Sequence, residues 1–224
     1  MSAPRMPDNI ISRQRLDDLV NTDEPLVVFC APAGFGKTTA ALHAFQYRKL
    51  QNPDTSLAWL SLDSEDSDEH IFCSYLVSAI ANETEISQSL IVAAMNPGTL
   101  LKTVLGQLFE LNRLKKSLFL VLDDYHNIDD QNIHQAMAFF IRNLPPHSKL
   151  LMTTRVGPPA CIMNLQLKGL LYEISKEDLA FNLSEAKQFL IQNKHHQLAD
   201  QESESILQFV EGWPVGFHLI VKGL

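Results

Sequence analysis

The residue types best suited to chemistry lie between Ala31 and Thr38, where the sequence reads Ala-Pro-Ala-Gly-Phe-Gly-Lys-Thr. Glycines let backbone N–H groups approach phosphate oxygens, a lysine provides a positive charge for the β- and γ-phosphates, and a hydroxyl can bind Mg²⁺. The usual pattern begins with glycine instead of Ala31, but the lysine and the hydroxyl are in place. A glycine turn that carries a surface lysine is the alternative interpretation. The segment predicts a phosphate-binding loop for Mg-ATP or ADP, with nucleotide contacts from Ala33, Gly34, Phe35, Gly36, Lys37, Thr38 and Thr39.

Two adjacent carboxylates, Asp123 and Asp124, follow the most apolar run of the chain, Ser117–Leu122. In phosphate-loop sites an acidic residue at the end of a neighbouring apolar strand helps to hold Mg²⁺, so we predict Thr38 and Asp123 as metal ligands. Asp124 is then expected near the terminal phosphate, where a carboxylate can orient or activate the attacking water. The alternative is that Asp124 only caps the loop that follows.

Arg155 follows another predicted strand, at residues 148–154. Open α/β sheets bind ligands at the carboxyl ends of their strands, which is where this arginine falls. It can therefore sense the γ-phosphate, and we list it with Asp124 as a candidate catalytic residue. A surface salt bridge is an equally good interpretation of Arg155 from the sequence.

The elements that must position these residues follow from apolar runs. Residues 26–30 form a continuous apolar run, typical of a strand buried on both faces, and residues 38–50 form a helical pattern behind the glycine loop. The alternation continues with strands predicted at 56–62, 117–122, 148–154 and 171–175 and helices at 69–81, 100–111 and 132–143. This order predicts an α/β three-layer sandwich with about five parallel strands.

The pattern changes to helices alone after Asn182, with predicted helices at 185–193, at 201–210 and from 215. We therefore divide the chain into an ATP-binding domain at residues 1–176 and a small helical subdomain at residues 177–224. The last helical pattern runs to residue 224 without a clear capping signal, so we expect a truncated subdomain and a fragment of a longer polypeptide.

Composition limits the partners of these residues. Lys and Arg number 18 against 26 Asp and Glu, for a net charge of −8, and no basic block follows a phosphate backbone, so we expect no direct DNA binding. The apolar runs are far shorter than the ~20 residues of a membrane-spanning helix, and no secretory signal is visible, so we expect a cytoplasmic protein without membrane contact. Cys30, Cys73 and Cys161 are predicted to be buried, reduced core residues.

Six segments together resemble a known family, the ATP-dependent LuxR-type transcriptional activators of the MalT-like group, which are STAND-class signalling NTPases. The resemblance covers nearly the whole chain and rests on residues 12–16, 31–39, 59–63, 122–126, 179–190 and 212–214. It implies an ASCE/AAA+-like P-loop NTPase fold in which Lys37 and Thr38 bind phosphates and Mg²⁺, Asp123 binds Mg²⁺, and Arg155 is a sensor. It further implies that Pro214 lies near the nucleotide and that Arg13 places the N-terminal segment by the adenine.

The family resemblance also implies a function: an ATP/ADP switch that hydrolyses ATP slowly, self-associates in the ATP state, and binds DNA through a C-terminal helix-turn-helix that is not in this chain. The alternative is a phosphotransferase or motor-type ATPase with rapid turnover, for which we expect an arginine-rich lid. No arginine follows Arg155 in the sequence, which favours the switch. An interaction module with a permanently bound, structural nucleotide is a third interpretation.

Overall fold

Five short apolar runs form the strands of a single parallel sheet in the computed structural model, which describes residues 3–6, 10–82, 88–96, 101–108, 117–193 and 200–223. The strand order across the sheet is β2-β3-β4-β1-β5, and all four neighbouring pairs are parallel. The prediction of about five parallel strands is confirmed. The strands are β1 (Leu26–Cys30), β2 (Ser56–Ser61), β3 (Leu118–Asp123), β4 (Lys149–Thr154) and β5 (Leu171–Ile174).

Helices connect the strands and continue after the last of them. Short polar residues begin several helices: the side chains of Asp68 and Asp130 each accept two backbone N–H groups of the following turn. The α-helices are α1 (Gln14–Val20), α2 (Lys37–Gln51), α3 (Glu69–Ala81), α4 (Gln88–Ala94), α5 (Leu101–Leu108), α6 (Gln131–Arg142), α7 (Ala160–Met163), α8 (Lys176–Leu179), α9 (Leu183–Gln192), α10 (Asp200–Phe209) and α11 (Pro214–Gly223).

The sheet is buried on both faces because successive side chains of a strand point to opposite sides. In β1, Leu26 and Val28 belong to the core shared with α3 to α7, whereas Val27 and Phe29 belong to the core shared with α1 and α2. A third, smaller core lies between α9 and α11 around the fully buried Phe217. The result is the predicted three-layer sandwich, followed by a helical part with its own small core.

A buried lysine connects the N-terminal end of strand β4 to the C-terminal end of α1. The Nζ atom of Lys149, at the start of β4, donates hydrogen bonds to the carbonyl of Val20 at 2.7 Å and to that of Thr22 at 2.5 Å. The carbonyl of Val20 is the last of α1 and that of Thr22 follows two residues later, so the lysine lies at the C-terminal end of the helix, where a cation is favourable. Burial lowers the pKa of Lys149 to about 8.

The predicted elements are all found, with boundaries shifted by one or two residues. The predicted helix at 100–111 is observed as α5, and residue 100 and residues 109–111 lie outside the described part of the chain. The prediction of three buried cysteines is wrong for two of them: Cys73 is buried, but Cys30 and Cys161 are half-buried because they lie near the ends of elements. No helix among the described residues is long and apolar enough to cross a membrane.

Candidate nucleotide-binding site

The glycine loop connects the central strand β1 to the N-terminus of α2. Gly34 and Gly36 have φ angles of 84° and 78°, in the left-handed region that favours glycine, and Gly36 is the residue before the helix. The Nζ atom of the buried Lys37 donates to the carbonyls of Ala31 at 2.7 Å and Pro32 at 3.0 Å. Burial lowers the pKa of Lys37, and the nearby Asp124 carboxylate opposes this shift. The loop therefore presents a helix N-terminus and a lysine at one position, as phosphate binding requires.

Asp123 connects this loop to the ends of two other strands. Its Oδ1 atom accepts hydrogen bonds from Thr38 Oγ1 at 2.9 Å and from Thr153 Oγ1 at 2.6 Å. Burial raises the pKa of Asp123, and the two threonine hydrogen bonds act against that rise. A hydroxyl and a carboxylate side by side are the oxygen ligands that Mg²⁺ prefers, so Thr38 and Asp123 fit this ion. Thr153, which the sequence analysis did not name as a site residue, fixes the orientation of Asp123.

Asp124 has an unusual backbone for a non-glycine residue, with φ 59° and ψ 42°. Its N–H donates to Thr153 Oγ1 at 2.8 Å, so Thr153 holds both acidic residues. The Asp124 side chain makes no capping hydrogen bond to the turn that follows, which gives no support to a capping role. The Nδ1 atom of His126 lies 3.7 Å from Asp124 Oδ1, and burial lowers the pKa of this histidine.

Arg155 lies just after β4 and is exposed to solvent. Within the described part of the chain no carboxylate forms an ion pair with it, so the surface salt-bridge interpretation finds no partner there. Burial is the main cause of the lowered pKa of Lys37 and of His126, and the charge of Arg155 acts in the same direction on both. Arg155 thus lies at the same sheet edge as the glycine loop and the two aspartates.

A cavity of about 630 Å³ opens above this edge. Ten predicted site residues border it: Arg13, Ala33, Gly34, Gly36, Lys37, Thr38, Thr39, Asp124, Arg155 and Pro214. Two do not, because Phe35 packs against the core formed with α1 and α2, and Asp123 is buried next to Thr38. Most of the residues predicted from the sequence therefore border one cavity, and their contacts with a nucleotide stay a prediction.

The other end of the cavity is apolar, and sequence reasoning missed most of it. Its walls come from the segment before α1, from α1 itself, from α2, and from the helical part: Ile10, Ile11, Leu16, Asp17, Ala40, His43, Phe181, Phe189, Val215 and His218. The Ile10-Ile11 pair, separated from the predicted Arg13 by one residue, is the one sequence signal that could have pointed to this wall. A cavity lined by both charged and apolar residues suits a nucleotide, whose phosphates are charged and whose base is flat and largely apolar.

The helical part contacts the glycine loop directly through residues 213–215. The indole Nε1 of Trp213 donates to the carbonyl of Ala33 at 3.0 Å, and the backbone N–H of Val215 donates to the carbonyl of Gly34 at 3.2 Å. A Cβ atom on Gly34 would lie 2.5 Å from Trp213 Nε1, so the tryptophan also needs a glycine there. Pro214, predicted near the nucleotide, is the first residue of α11 and borders the cavity beside these contacts.

A second connection ties the N-terminal segment to the helical part through Glu185. Arg15 Nε and Arg13 Nε lie 2.8 Å and 3.2 Å from Glu185 Oε1, and the guanidinium of Arg13 also donates to the carbonyls of Leu179 and Ala180. Burial acts to raise the pKa of Glu185, but its hydrogen bonds and charge interactions with the two arginines hold the pKa below the ordinary value. Arg13 thus holds the Ile10-Ile11 wall in position; its placement of that wall by an adenine stays a prediction.

The sheet order, the glycine loop and the Asp123–Thr38 pair define a P-loop NTPase fold. The signal transduction ATPase with numerous domains from Pyrococcus horikoshii, which carries a tetratricopeptide repeat sensor, superposes with a TM-score of 0.71 and 17% sequence identity, covering 98% of this chain and 31% of that chain. At such low identity this likeness concerns the fold alone.

Sequence comparison adds a more specific relationship. The chain is 32% identical to the HTH-type transcriptional regulator MalT of Vibrio parahaemolyticus and 35% identical to that of Yersinia enterocolitica, in each case over 98% of this chain and 24% of the regulator. No protein-family model matches the chain. The chain is therefore homologous to part of the MalT transcriptional regulators, and it spans about a quarter of their length.

Proposed function

We propose that this chain is the ATP/ADP-binding switch module of a MalT-like transcriptional regulator. The observation that carries the proposal is the direct contact between the glycine loop and the helical part, through Trp213 and Val215. A ligand on the loop touches the same backbone segment that these two residues hold. The nucleotide state and the arrangement of the helical part are therefore coupled by shared contacts.

Each residue at the phosphate end has a role in this proposal. The backbone of the loop and the buried Lys37 bind the phosphates, and Thr38 with Asp123 holds Mg²⁺, which would neutralise charge on the phosphates. Asp124 orients the attacking water, and the exposed Arg155 senses the terminal phosphate. Thr153 positions both aspartates through its hydroxyl, which donates to one and accepts from the other.

A ligand shifts an equilibrium between two arrangements only if it binds them with different affinity. Lys37, Asp124 and Arg155 supply that difference at the γ-phosphate, because their charges interact with one another across the end of the cavity. ATP and ADP would then favour different arrangements of residues 213–215 against the loop. Fast hydrolysis is not needed for such a switch.

Self-association in the ATP state and control of transcription are the further parts of the proposal. They rest on the similarity to the MalT proteins, which are transcriptional regulators of the HTH type. DNA binding is assigned to a region outside this chain, in agreement with its net charge of −8. A cytoplasmic location is proposed on the same grounds.

The test is the rate of ATP hydrolysis with Mg²⁺, measured both in a single turnover and at steady state. We expect turnover far below the roughly 1–1,000 s⁻¹ of ordinary enzymes. Acrylamide quenching of tryptophan emission, run in parallel with ADP and with a non-hydrolysable ATP analogue, reports on Trp213, because Trp59 is buried and Trp213 is 37% exposed. The Trp213→Phe variant is the control that should abolish the nucleotide response.

Rapid steady-state turnover without a difference in quenching between ADP and the ATP analogue would instead favour a phosphotransferase or motor-type ATPase. A nucleotide that neither turns over nor exchanges would favour a structural role. Slow turnover together with nucleotide-dependent quenching supports the switch.

A further inference from the structure

The apolar end of the cavity is built from two parts of the chain that are far apart in the sequence. Ile10, Ile11 and Arg13 come from the segment before α1, whereas Phe181 and Phe189 come from the helical part. The phosphate end, in contrast, is built on the loops that follow β1, β3 and β4 of one sheet. The apolar end therefore stays together only through contacts between the N-terminal segment and the helical part.

The strongest of these contacts is a cluster of three charged side chains, Arg13, Arg15 and Glu185, which we call the Glu185 cluster. Arg15 donates from Nε to Glu185 Oε1 at 2.8 Å and from a terminal nitrogen to Oε2 at 3.0 Å. Arg13 Nε lies 3.2 Å from the same Oε1 atom, and the side chains of Arg13 and Glu185 are 10% and 7% exposed. Charges buried in this way are only weakly screened by salt, so their interaction is strong.

The two guanidinium groups also bind the backbone that leads into α9. Arg13 donates to the carbonyls of Leu179 at 2.7 Å and Ala180 at 3.1 Å. Arg15 donates to the carbonyl of Ala180 as well, at 2.6 Å. The guanidinium carbon of Arg13 lies 5.3 Å from the centre of the Phe181 ring, a cation–π contact with a residue that borders the cavity. The Glu185 cluster thus extends to the cavity wall itself.

Glu185 allows two positive charges to lie side by side at this place. Within the described residues it is the one carboxylate that forms an ion pair with either arginine. Burial lowers the pKa of Arg13 and the charge of Arg15 acts in the same direction, whereas Glu185 acts against both. Without the Glu185 charge, two guanidinium groups would face each other with no counter-charge, which is strongly unfavourable for a buried group. Loss of that charge should therefore separate the N-terminal segment from the helical part.

We propose that Glu185 is a positioning residue that keeps the apolar end of the cavity closed around the nucleoside and so sets how slowly a bound nucleotide is released. This inference rests on the proposed nucleotide-binding function. Removal of one partner of a buried, hydrogen-bonded charge pair acts mainly on the rate at which the joined surfaces separate. Here those surfaces are the two walls of the apolar end. The nucleoside would lose its contacts while the phosphate end, which is built on the sheet, stays intact.

The experiment measures the release of a fluorescent ADP, labelled on its ribose, from the whole chain when excess unlabelled Mg-ADP is added. Glu185→Gln removes the charge and keeps the shape of the side chain, and glutamine can still complete the capping box with Asn182 at the start of α9. We expect release at least about tenfold faster than in wild type. The affinity for Mg-tripolyphosphate, determined from its competition with the fluorescent ADP, should stay unchanged because this ligand has no nucleoside.

Glu177→Gln is the matched control, because it makes the same chemical change at a side chain that is 69% exposed, and it should release ADP at the wild-type rate. Arg15→Met disrupts the Glu185 cluster from its other side and decides the question if Glu185→Gln fails to fold. Arg15 does not border the cavity, so this variant should also release ADP faster and keep its affinity for tripolyphosphate. In the double variant the two increases should not multiply, because both changes remove the same contact.

Release at the wild-type rate in both cluster variants would overturn the inference but leave the proposed function standing. An equal loss of affinity for ADP and for tripolyphosphate would also overturn it, because Glu185 would then support the fold as a whole. If tripolyphosphate fails to compete in wild type, the phosphate end does not bind on its own and the inference is wrong. Wild-type protein that binds neither ADP nor tripolyphosphate would overturn the proposed function itself.

Discussion

Replacing Gly34 by alanine tests the contact between the glycine loop and the helical part without removing a charged group. Gly34 has φ 84°, a conformation that costs alanine about 1–2 kcal/mol. The new Cβ atom would also lie 2.5 Å from Trp213 Nε1 and 3.0 Å from Val215 Cβ, so the indole must move and lose its hydrogen bond to Ala33. That hydrogen bond contributes about 1 kcal/mol, which gives a total loss of about 2–3 kcal/mol.

The assay is the free energy of unfolding of the nucleotide-free protein in urea, together with the emission spectrum of Trp213. Gly169→Ala is the matched control, because Gly169 has φ 64° and a Cβ there would meet nothing within 4 Å. We expect Gly169→Ala to lose only the backbone part, about 1–2 kcal/mol, and to leave the emission unchanged. In a double-mutant cycle, Gly34→Ala made in the Trp213→Ala background should lower the free energy of unfolding by only the backbone part, as Gly169→Ala does. Equal losses for Gly34→Ala in the presence and absence of Trp213 would refute the coupling.

Three further results are expected. Lys37→Ala should abolish nucleotide binding or weaken it severely in a calorimetric titration, because the positive charge that the lysine places against the phosphates is lost. An unchanged affinity for ATP would contradict the assignment of a phosphate-binding loop. Asp124→Asn should keep ATP binding nearly intact and slow single-turnover hydrolysis, and equal rates in the two proteins would exclude a role in water activation. The pKa of Lys149 is about 8 in the folded protein, below its ordinary value of 10.5. Between these two pH values the unfolded chain therefore binds a proton that the folded protein does not. The free energy of unfolding should consequently rise with pH across this window, by up to about 3 kcal/mol. Lys149→Met should lose that pH-dependent difference when both proteins are unfolded in urea at pH 7.5 and pH 10.5, and parallel pH profiles would contradict the assigned pKa.

The sheet and its glycine loop could be predicted because local patterns determine them. Apolar runs such as Leu26–Cys30 occur where strands are buried on both faces, and Gly36 before Lys37 marks a loop that leads into a helix. Once the strands are parallel, the residues after β1, β3 and β4 must meet at one edge. The meeting of Thr38, Asp123 and Arg155 at that edge is a consequence of topology, and it needs no knowledge of individual side-chain contacts.

The apolar end of the cavity could not be predicted, because its contacts join residues that are far apart in the sequence. Trp213 reaches Ala33 across 180 positions, and Arg13 reaches Leu179 across 166. Neither contact follows from helix or strand periodicity, since the periodicity identifies the buried face of a helix and not the element against which it packs. Asp17 illustrates the same limit: in an amphipathic helix it is expected on the solvent side, yet it is buried beside His43.

Thr153 shows a different limit. The sequence analysis used it only as part of the strand that leads to Arg155, because a threonine in an apolar strand is typical of ordinary β-structure. In the structure it is fully buried and holds both Asp123 and Asp124. A hydroxyl that accepts from one group and donates to another is recognisable only when both partners have been located.

The most direct test of the central claim is to denature the purified protein and identify any nucleotide that it releases, followed by titration of the nucleotide-free protein with Mg-ATP and Mg-ADP. The account predicts bound ADP or ATP at up to one molecule per chain, or saturable binding of both nucleotides at one site that Lys37→Ala destroys. Protein that releases no nucleotide and binds none on titration would contradict it.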